Sequence, residues 1–235
     1  MGIYMINSES NTINLAGNIS TTGIVSHGIF FDRNTGPNTT TLTGNISTSG
    51  AIAHGLYLSS SDSNTTNLTG NITTTGDNAN GLWLLLSNSN TTNLTGNITT
   101  TGDGAFGLYL SSSDSNTTNL TGNISTAGDN GHGLLLDNSN SNTTSLTGNI
   151  TTTGDTADGL YLFNSDSNTI TITGDIITSG TNSEAILIDS SDSNTITLSG
   201  KVQSLGGDQA ISILANSDAN TFNIQSGSTF LGDFE

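Results

Sequence analysis

Several residue types are scarce in this chain, and each shortage argues against a class of protein. The 235 residues include no cysteine, one proline, 5% aromatic residues and only 2 lysine or arginine residues. Without cysteine there is no disulfide, no thiolate zinc site and no cysteine nucleophile. With so few basic residues, binding to nucleic acid or to anionic membrane surfaces is not expected. The longest apolar run, Leu82 to Leu86, is too short to cross a bilayer.

Small polar residues take the place of the missing types. Serine (33), threonine (41), asparagine (31) and glycine (29) make up 134 of the 235 residues, and 19 acidic residues give a formal charge of -17. The scarcity of Ala, Glu, Lys and Arg argues against a helical bundle. The abundance of β-branched Thr and Ile argues against disorder, because disordered segments are poor in such residues.

The chain is built from a repeat of 26 residues. The tetrapeptide Gly55-Leu56-Tyr57-Leu58 recurs at this interval in related forms along the sequence. Nine copies begin near residues 2, 28, 55, 81, 107, 133, 159, 185 and 210. We therefore expect one repeat domain over residues 1–235, in which the stretch from about 210 to 235 is a degenerate last copy that covers the end of the core.

Within each copy the hydrophobic residues alternate with a period of two. Leu56, Leu58, Leu68 and Ile72 mark three short inward-facing strands in the third copy. Three strands per 26 residues predict an all-β fold, a right-handed parallel β-helix (β-solenoid) of about nine coils. At about 4.8 Å per coil the rod would be roughly 43 Å long.

One asparagine recurs in every copy, each time followed by threonine. Stacked asparagines at a corner can pass amide hydrogen bonds from coil to coil, so we interpret this column as an inward structural ladder. Its members are Asn11, Asn38, Asn64, Asn90, Asn116, Asn142, Asn168, Asn194 and Asn220.

Two outward surfaces are candidate binding sites. An aromatic column is a candidate for stacking on sugar rings, with mutual stacking along the rod as the structural alternative; it contains Tyr4, Phe30, Tyr57, Trp83, Tyr109 and Tyr161. A threonine array is similar to the Thr-x-Thr surfaces of ice-binding β-solenoids, and its candidate residues are Thr73, Thr75, Thr99, Thr101, Thr151 and Thr153.

The repeat shows no interruption of the kind that an active site would cause. We therefore predict no catalytic residue, no cofactor and no metal site, and we expect the protein not to be an enzyme. His27, His54 and His132 each stand just before the glycine that opens the next coil, and we interpret them as exposed turn residues. Acidic turn columns such as Asp77 and Asp103 leave calcium binding open as an alternative, although the nonapeptide calcium repeat is missing.

The two halves of the repeat resemble a known class of surface protein. Residues 55–65, Gly-Leu-Tyr-Leu-Ser-Ser-Ser-Asp-Ser-Asn-Thr, and residues 68–76, Leu-Thr-Gly-Asn-Ile-Thr-Thr-Thr-Gly, are similar to the passenger repeats of bacterial autotransporters and giant surface adhesins. The chain shows no signal peptide or membrane-anchoring barrel, so we interpret it as a segment of such a surface. The resemblance implies an extracellular or cell-surface location.

The predicted function is that of a non-catalytic structural and adhesive solenoid segment. An ice-binding solenoid and a carbohydrate-binding rod are the alternatives. The expected partners are surface glycans, a host or neighbouring cell surface, or ice, with neither nucleic acid nor membrane insertion involved. An uncovered first coil would also expose strand edges, so end-to-end self-association is a further expectation.

Overall fold

The computed structural model describes residues 1–206 and 208–232. These residues form an all-β structure in which three parallel sheets of nine strands each wind together as a β-solenoid of about nine turns. Each coil contributes one strand to each sheet. Among the described residues no helix is long and apolar enough to cross a membrane.

The strands of each coil follow the same order, A, B and C, and the sheets are named accordingly. Sheet A contains β1 (Ile3–Ile6), β4 (Ile29–Asp32), β7 (Leu56–Ser59), β10 (Leu82–Leu85), β13 (Leu108–Ser111), β16 (Leu134–Asp137), β19 (Leu160–Phe163), β22 (Ile186–Asp189) and β25 (Ile211–Ile213). Sheet B contains β2 (Thr12–Ala16), β5 (Thr39–Thr43), β8 (Thr65–Thr69), β11 (Thr91–Thr95), β14 (Thr117–Thr121), β17 (Thr143–Thr147), β20 (Thr169–Thr173), β23 (Thr195–Ser199) and β26 (Thr221–Ile224). Sheet C contains β3 (Ile19–Thr21), β6 (Ile46–Thr48), β9 (Ile72–Thr74), β12 (Ile98–Thr100), β15 (Ile124–Thr126), β18 (Ile150–Thr152), β21 (Ile176–Thr178), β24 (Lys201–Ser204) and β27 (Thr229–Leu231).

Successive coils pair in parallel and in register. Leu82 of β10, for example, lies between Leu56 of β7 and Leu108 of β13. Because each coil contains one repeat, equivalent residues of successive repeats stack directly on one another. The β-solenoid predicted from the repeat is therefore confirmed. The right-handed sense of the winding stays a prediction, based on the preference of parallel crossover connections.

The inward positions of the three strands form one continuous core. In the third coil Leu56, Leu58, Leu68 and Ile72 are all buried, and their equivalents fill the same columns in the neighbouring coils. Alternate residues point outward, as the period of two requires. The core therefore runs along the rod axis as a stack of aliphatic layers.

The corners between strands explain much of the unusual composition. In the third coil Ser60, Ser63 and Asn78 adopt left-handed backbone conformations with φ of 47°, 60° and 53°. Such conformations favour Gly and Asn, and short polar side chains at corners can satisfy local backbone groups. At Gly70 (φ 146°) an added Cβ would lie 2.2 Å from the carbonyl oxygen of Gly44, so only glycine fits there.

The last coil places some of its apolar side chains against the core and leaves others partly exposed. Phe222 and Phe230 are half-buried against the core, whereas Ile224 and Leu231 are 44% and 48% exposed. Phe234, which belongs to the predicted last copy at about 210–235, lies outside the described residues. The described part of the last coil thus leaves apolar side chains at the end of the rod.

Two columns of buried threonine differ in whether their hydroxyl groups are used. The Thr126 hydroxyl donates a hydrogen bond to the carbonyl oxygen of Gly131 at 2.5 Å and closes a turn. The Thr118 hydroxyl is buried and has no hydrogen-bond partner. Coils seven and eight carry Ile170 and Ile196 at the position of Thr118. Only the first kind of threonine contributes a hydrogen bond to stability.

This difference predicts opposite effects of the same substitution. Thr118→Val should raise the free energy of unfolding by about 1 kcal/mol, because it removes a buried hydroxyl that has no partner. Thr126→Val should lower it by about 1–3 kcal/mol, because the Gly131 carbonyl loses its donor. Urea unfolding of both variants beside the parent protein measures the two changes. Equal effects of the two substitutions would contradict the hydrogen-bond assignment.

Candidate functional site

The asparagine column forms a hydrogen-bonded ladder along the whole solenoid. In the middle of the rod the Asn90 backbone N–H donates to Oδ1 of Asn116 at 2.8 Å, and its Nδ2 donates to the same oxygen at 3.2 Å. Side-chain amide bonds of this kind join all nine asparagines, Asn11, Asn38, Asn64, Asn90, Asn116, Asn142, Asn168, Asn194 and Asn220. The seven from Asn38 to Asn194 are buried.

The ladder also holds the corner of each coil. Nδ2 of Asn90 donates to the carbonyl oxygens of Ser61 at 2.8 Å and Asn88 at 3.1 Å. A neighbouring serine column adds a second link, since the backbone N–H of Ser87 donates to Oγ of Ser113 at 3.0 Å. Because these buried polar groups have partners within the protein, the ladder serves the structure and offers no free group to a ligand.

The aromatic column stacks on itself. Ring centroids lie 5.1 Å apart for Tyr4 and Phe30, 4.8 Å for Phe30 and Tyr57, 4.5 Å for Tyr57 and Trp83, and 5.7 Å for Trp83 and Tyr109, with planes within 13° of parallel. Each inner ring therefore has neighbours against its faces, and only ring edges point away from the rod. A sugar ring needs a free aromatic face. Along this stack such a face exists at the Tyr4 end alone.

The column is interrupted before its last member. Leu135, which is buried, stands between Tyr109 and Tyr161. Tyr161 packs instead beside Phe163 and edge-on to His132, with centroids 6.0 Å and 5.3 Å away. The six predicted glycan-stacking residues are thus one stack of five and one separate tyrosine.

The histidines are buried, which corrects the expectation that they are exposed turn residues. His27 is 2% exposed, His54 1% and His132 9%. His27 and His54 stack at a centroid distance of 4.9 Å, and both pack edge-on against the aromatic column. The sequence misled here because the small residues on either side of each histidine are typical of an exposed turn, whereas the rings of the aromatic column pack against the imidazole and bury it.

Each of these imidazoles accepts a hydrogen bond from the next coil. Nδ1 of His27 accepts from the backbone N–H of His54 at 3.1 Å, and Nδ1 of His54 accepts from Asn80 at 2.9 Å. At the equivalent position Oδ1 of Asn80 accepts from the backbone N–H of Phe106 at 2.9 Å. An unprotonated Nδ1 is required for this bond, so the folded chain holds both histidines neutral.

Burial changes the proton affinities along this column. It lowers the pKa of His27 to about 4 and that of His54, which also lies beside His27, to about 3. Further along, burial and then the nearby Asp158 raise the pKa of Glu184 to about 7. The backbone N–H of Glu184 donates to Oδ1 of Asp158 at 2.9 Å, which places the two acidic residues one coil apart. Acid therefore destabilises the folded chain at His27 and His54 and stabilises it at Glu184.

The predicted ice-facing threonines lie on sheet C and at the corner that follows it. Thr73, Thr99 and Thr151 belong to one column, in which Ser125 separates the second from the third. Thr75, Thr101 and Thr153 follow the strands and are exposed, with Ala127 at the intervening position. The array therefore has both threonines in the third, fourth and sixth coils, and it is broken in the fifth coil by Ser125 and Ala127.

Sheet B presents a wider and more regular surface, which the sequence analysis did not single out. In the third coil Thr65, Asn67 and Thr69 point away from the core, between the buried Thr66 and Leu68. We name the three corresponding columns the sheet B face. The first column is Thr12, Thr39, Thr65, Thr91, Thr117, Thr143, Thr169, Thr195 and Thr221; the second is Asn14, Thr41, Asn67, Asn93, Asn119, Ser145, Thr171, Thr197 and Asn223; the third is Ala16, Thr43, Thr69, Thr95, Thr121, Thr147, Thr173 and Ser199.

The sheet B face contains no charged residue although the chain carries a charge of -17. Within its middle column Nδ2 of Asn93 donates to Oδ1 of Asn67 at 2.8 Å, and Nδ2 of Asn119 donates to Oδ1 of Asn93 at 2.9 Å. The signal for this face was present in the sequence as the Thr-x-Asn-x-Thr alternation around the leucine column. The strand that follows carries a similar Thr-x-Thr alternation, so the sequence alone does not distinguish the two surfaces.

The acidic columns lie at corners. In one of them Oδ1 of Asp77 accepts from the backbone N–H of Asp103 at 3.2 Å, and Oδ1 of Asp103 accepts from Asp129 at 3.0 Å. These carboxylates therefore link coils as the asparagines do, on the exposed side of the corner. Among the described residues no group of three or more His, Asp or Glu side chains is arranged to hold a metal ion.

The ladder geometry predicts that replacing the amide of one ladder asparagine by a carboxylate strongly destabilises the protein. Asn116→Asp removes the Nδ2 donor and places a carboxylate opposite Oδ1 of Asn142 in a buried column. We expect the free energy of unfolding to fall by about 3–5 kcal/mol, as for other uncompensated buried charges. Asn119→Asp, on the exposed sheet B face, is the matched control and should change it by less than about 0.5 kcal/mol. Similar losses in both variants would contradict the buried ladder.

The two buried histidines predict a sensitivity to acid. An imidazole with a pKa of about 3 or 4 in the folded chain and 6.5 in the unfolded chain is protonated first in the unfolded chain, so stability falls as the pH drops below about 6.5. Replacing His27 and His54 together by Asn, the residue found at Asn80, should reduce this loss. At about pH 5 the free energy of unfolding of this variant should exceed that of the parent protein by at most about 2 kcal/mol per imidazole. Urea unfolding at a series of pH values measures the difference.

Glu184 provides the control of opposite sign. Its raised pKa means that the folded chain binds a proton first, so the parent protein gains stability at this site as the pH falls from about 7 towards the usual value of 4.5. Glu184→Gln should remove that gain without changing the histidine effect. Parallel pH profiles for the parent protein and the double histidine variant would show that the imidazoles are not held neutral by the fold.

Comparison with known proteins identifies no relative of this chain. No family model matches the chain, and no curated protein and no solved structure shows significant similarity to it. The β-solenoid fold is shown by the strand register itself. The likeness to the passenger repeats of autotransporters and surface adhesins rests on the repeat motif alone.

Proposed function

We propose that this chain is a non-catalytic rod that presents a repetitive contact surface, as a segment of a secreted or cell-surface bacterial protein. The observation that carries the proposal is the sheet B face, whose first column is threonine in every coil and whose other two columns consist of small, almost all polar residues. A site for one small molecule would need one coil to differ from the others. A surface that repeats at every coil suits a partner that repeats in the same direction.

The columns that link successive coils support this role. The asparagine ladder, the serine column and the stacked aromatic rings each tie one coil to the next. Contacts of this kind leave little freedom for bending between coils, because every corner is fixed by its neighbours. A stiff rod keeps its surface columns aligned, and aligned columns allow many weak contacts to form together.

The chemistry of the sheet B face favours a neutral, hydroxyl-rich partner. Thr65, Asn67 and Thr69 offer hydroxyl and amide groups that both donate and accept hydrogen bonds, beside methyl groups that make apolar contacts. The acidic residues lie elsewhere, at corners such as Asp77 and Asp103. We therefore assign surface polysaccharide as the partner class, with each coil contributing a contact of about 1 kcal/mol.

Ice is the second candidate, and the regularity of the threonine columns favours it. The first column of the sheet B face is threonine in all nine coils, and the third is threonine from Thr43 to Thr173. Neighbouring coils repeat at about 4.8 Å, and alternate residues of a strand at about twice 3.3 Å. Such a two-dimensional array of hydroxyl and methyl groups can order water into a lattice.

Matched triple variants test which surface makes the contacts. The first variant carries lysine in place of Asn67, Asn119 and Thr171 on the sheet B face, and the second carries lysine in place of Thr73, Ser125 and Ile177 on sheet C. Both change the charge equally and use alternate coils, so that no two lysines are adjacent. We expect the first variant to lose binding on a glycan array or inhibition of ice recrystallisation, and the second to keep it.

Each result has a definite meaning. Glycan binding supports the first candidate and ice inhibition the second. Loss of binding in the sheet C variant alone would overturn the choice of face. A parent protein that binds no glycan and does not inhibit recrystallisation would overturn the contact role. Release of reducing or unsaturated ends from polysaccharides by the purified protein would overturn the proposal that it is not an enzyme.

A further inference from the structure

Triplets of the form Asn-x-Ser/Thr, the acceptor motif of N-linked glycosylation, occur in three sets along the solenoid. In the fourth coil they begin at Asn90 in the asparagine ladder, at Asn93 on the sheet B face, and at Asn97 between sheets B and C. We name the last set the corner column. Its triplets begin at Asn18, Asn45, Asn71, Asn97, Asn123 and Asn149 and end at Ser20, Ser47, Thr73, Thr99, Ser125 and Thr151. The sets differ in how the fold uses the amide nitrogen, which is the atom that receives a sugar.

In the fourth coil the amide nitrogens of the ladder and of the sheet B face already donate hydrogen bonds. Nδ2 of Asn90, which is buried, donates to the carbonyl oxygen of Ser61 at 2.8 Å and to Oδ1 of Asn116 at 3.2 Å. Nδ2 of Asn93 donates to Oδ1 of Asn67 at 2.8 Å. A sugar would replace one hydrogen of either nitrogen, and at Asn90 it would also need space in a closely packed corner.

The corner column uses only the amide oxygen. The backbone N–H of Asn123 donates to Oδ1 of Asn97 at 2.8 Å, and that of Asn97 donates to Oδ1 of Asn71 at 2.8 Å. Asn97 is exposed, and among the described residues none accepts a hydrogen bond from its Nδ2. In the seventh coil Asp175 takes this place, and its Oδ1 accepts from the backbone N–H of Lys201 at 2.8 Å. The fold therefore needs the oxygen at this position and not the nitrogen.

The first and third residues of a corner triplet lie on the same side of the chain. Ile98 is buried between Asn97 and Thr99, so the alternation of the strand turns both neighbours away from the core. The motif requires a hydroxyl group at its third position. In the ladder triplet of the same coil the third residue, Thr92, is buried. Only the corner triplet thus presents both of its functional groups to the outside.

The repeat couples the two positions of the corner triplet. In the first six coils Asn is followed two residues later by Ser or Thr, whereas in the next two coils both positions change. The pairs there are Asp175 with Ile177 and Lys201 with Gln203. The ladder differs, because Asn168 keeps its place in the seventh coil although Ile170 stands two residues later. An asparagine kept for the fold alone would not need the hydroxyl, so the loss of both residues together indicates that the triplet serves as a unit.

From these observations we propose that the corner column is a set of N-glycosylation sites and that the ladder triplets are not used. The donor is a sugar whose C1 is esterified to a diphosphate. Nδ2 of Asn97 forms a bond to C1, the bond from C1 to the diphosphate oxygen breaks, and the diphosphate leaves with that electron pair. One proton of Nδ2 passes to a base of the transferase. Oδ1 keeps its hydrogen bond from Asn123, so the coils stay joined. This inference does not depend on what the sheet B face binds.

The test compares the folded protein with an unfolded peptide from the same coil. A soluble N-glycosyltransferase and UDP-glucose are added to the full chain and, separately, to a synthetic peptide of residues 86–102. Mass spectrometry of proteolytic fragments measures the sugar at each asparagine. We expect the peptide to be modified at both Asn90 and Asn97, and the folded chain to be modified at Asn97 but not at Asn90, whose side chain becomes accessible only when the coils open.

Two variants of Thr99 separate the requirement for the triplet from a change in the fold. Thr99→Ala removes the hydroxyl group and should abolish the sugar at Asn97. Asn123 in the next coil, whose own triplet is intact, should stay modified in the same molecule and serves as the internal reference. Thr99→Ser keeps the hydroxyl group, as Ser125 does in the fifth coil, and should restore the sugar at Asn97.

Three results would overturn the proposal. The first is a folded chain that stays unmodified along the corner column while the peptide is modified at Asn97. The second is a folded chain modified at Asn90 as fully as at Asn97, which would mean that the fold does not select among the triplets. The third is an unchanged amount of sugar at Asn97 in the Thr99→Ala variant, which would mean that the triplet is not the recognised unit.

Discussion

The whole structure depends on the exact stacking of equivalent residues in successive coils. Because Leu82 lies over Leu56 and under Leu108, every polar corner group also meets its own equivalent one coil away. A side-chain oxygen at a corner therefore accepts the same backbone N–H in coil after coil, as Asn116 does for Asn90. The repeat length of 26 residues sets this register, and the small residues at the corners allow the coils to approach closely enough to use it.

Several features that the sequence offered as binding sites take part in this stacking. The aromatic rings from Tyr4 to Tyr109 lie face to face along the axis, and the histidines beneath them accept backbone hydrogen bonds. Even the exposed Asp77 uses one carboxylate oxygen to hold the next coil. The sheet B face is different, because its regular columns are neutral and lie on the longest strands. This contrast explains why we assign the contacts of the rod to that face.

The sequence was sufficient for the architecture because a repeat shows which positions are equivalent, and the alternation around Leu68 and Ile72 showed which of them point inward. It was insufficient for the corners. His54 lies between the small residues Ala53 and Gly55, as an exposed turn residue could, and only the structure shows that its ring is buried against the aromatic column. The unused hydroxyl of Thr118 was equally hidden, since Thr118 and Thr126 are both threonines in strands of the same coil. Where the sequence pattern permits two side-chain environments, the backbone geometry decides between them.

Amide hydrogen exchange in the native protein tests the stacking account most directly. The backbone N–H groups of Asn64, Asn90, Asn116 and Asn142 lie at corners, outside any strand, but each donates to a buried side-chain oxygen of the next coil. The account predicts that they exchange as slowly as the amides of the central strands, because they open only when neighbouring coils separate. Exchange as fast as that of ordinary exposed turns would show that the side-chain columns do not hold the coils together.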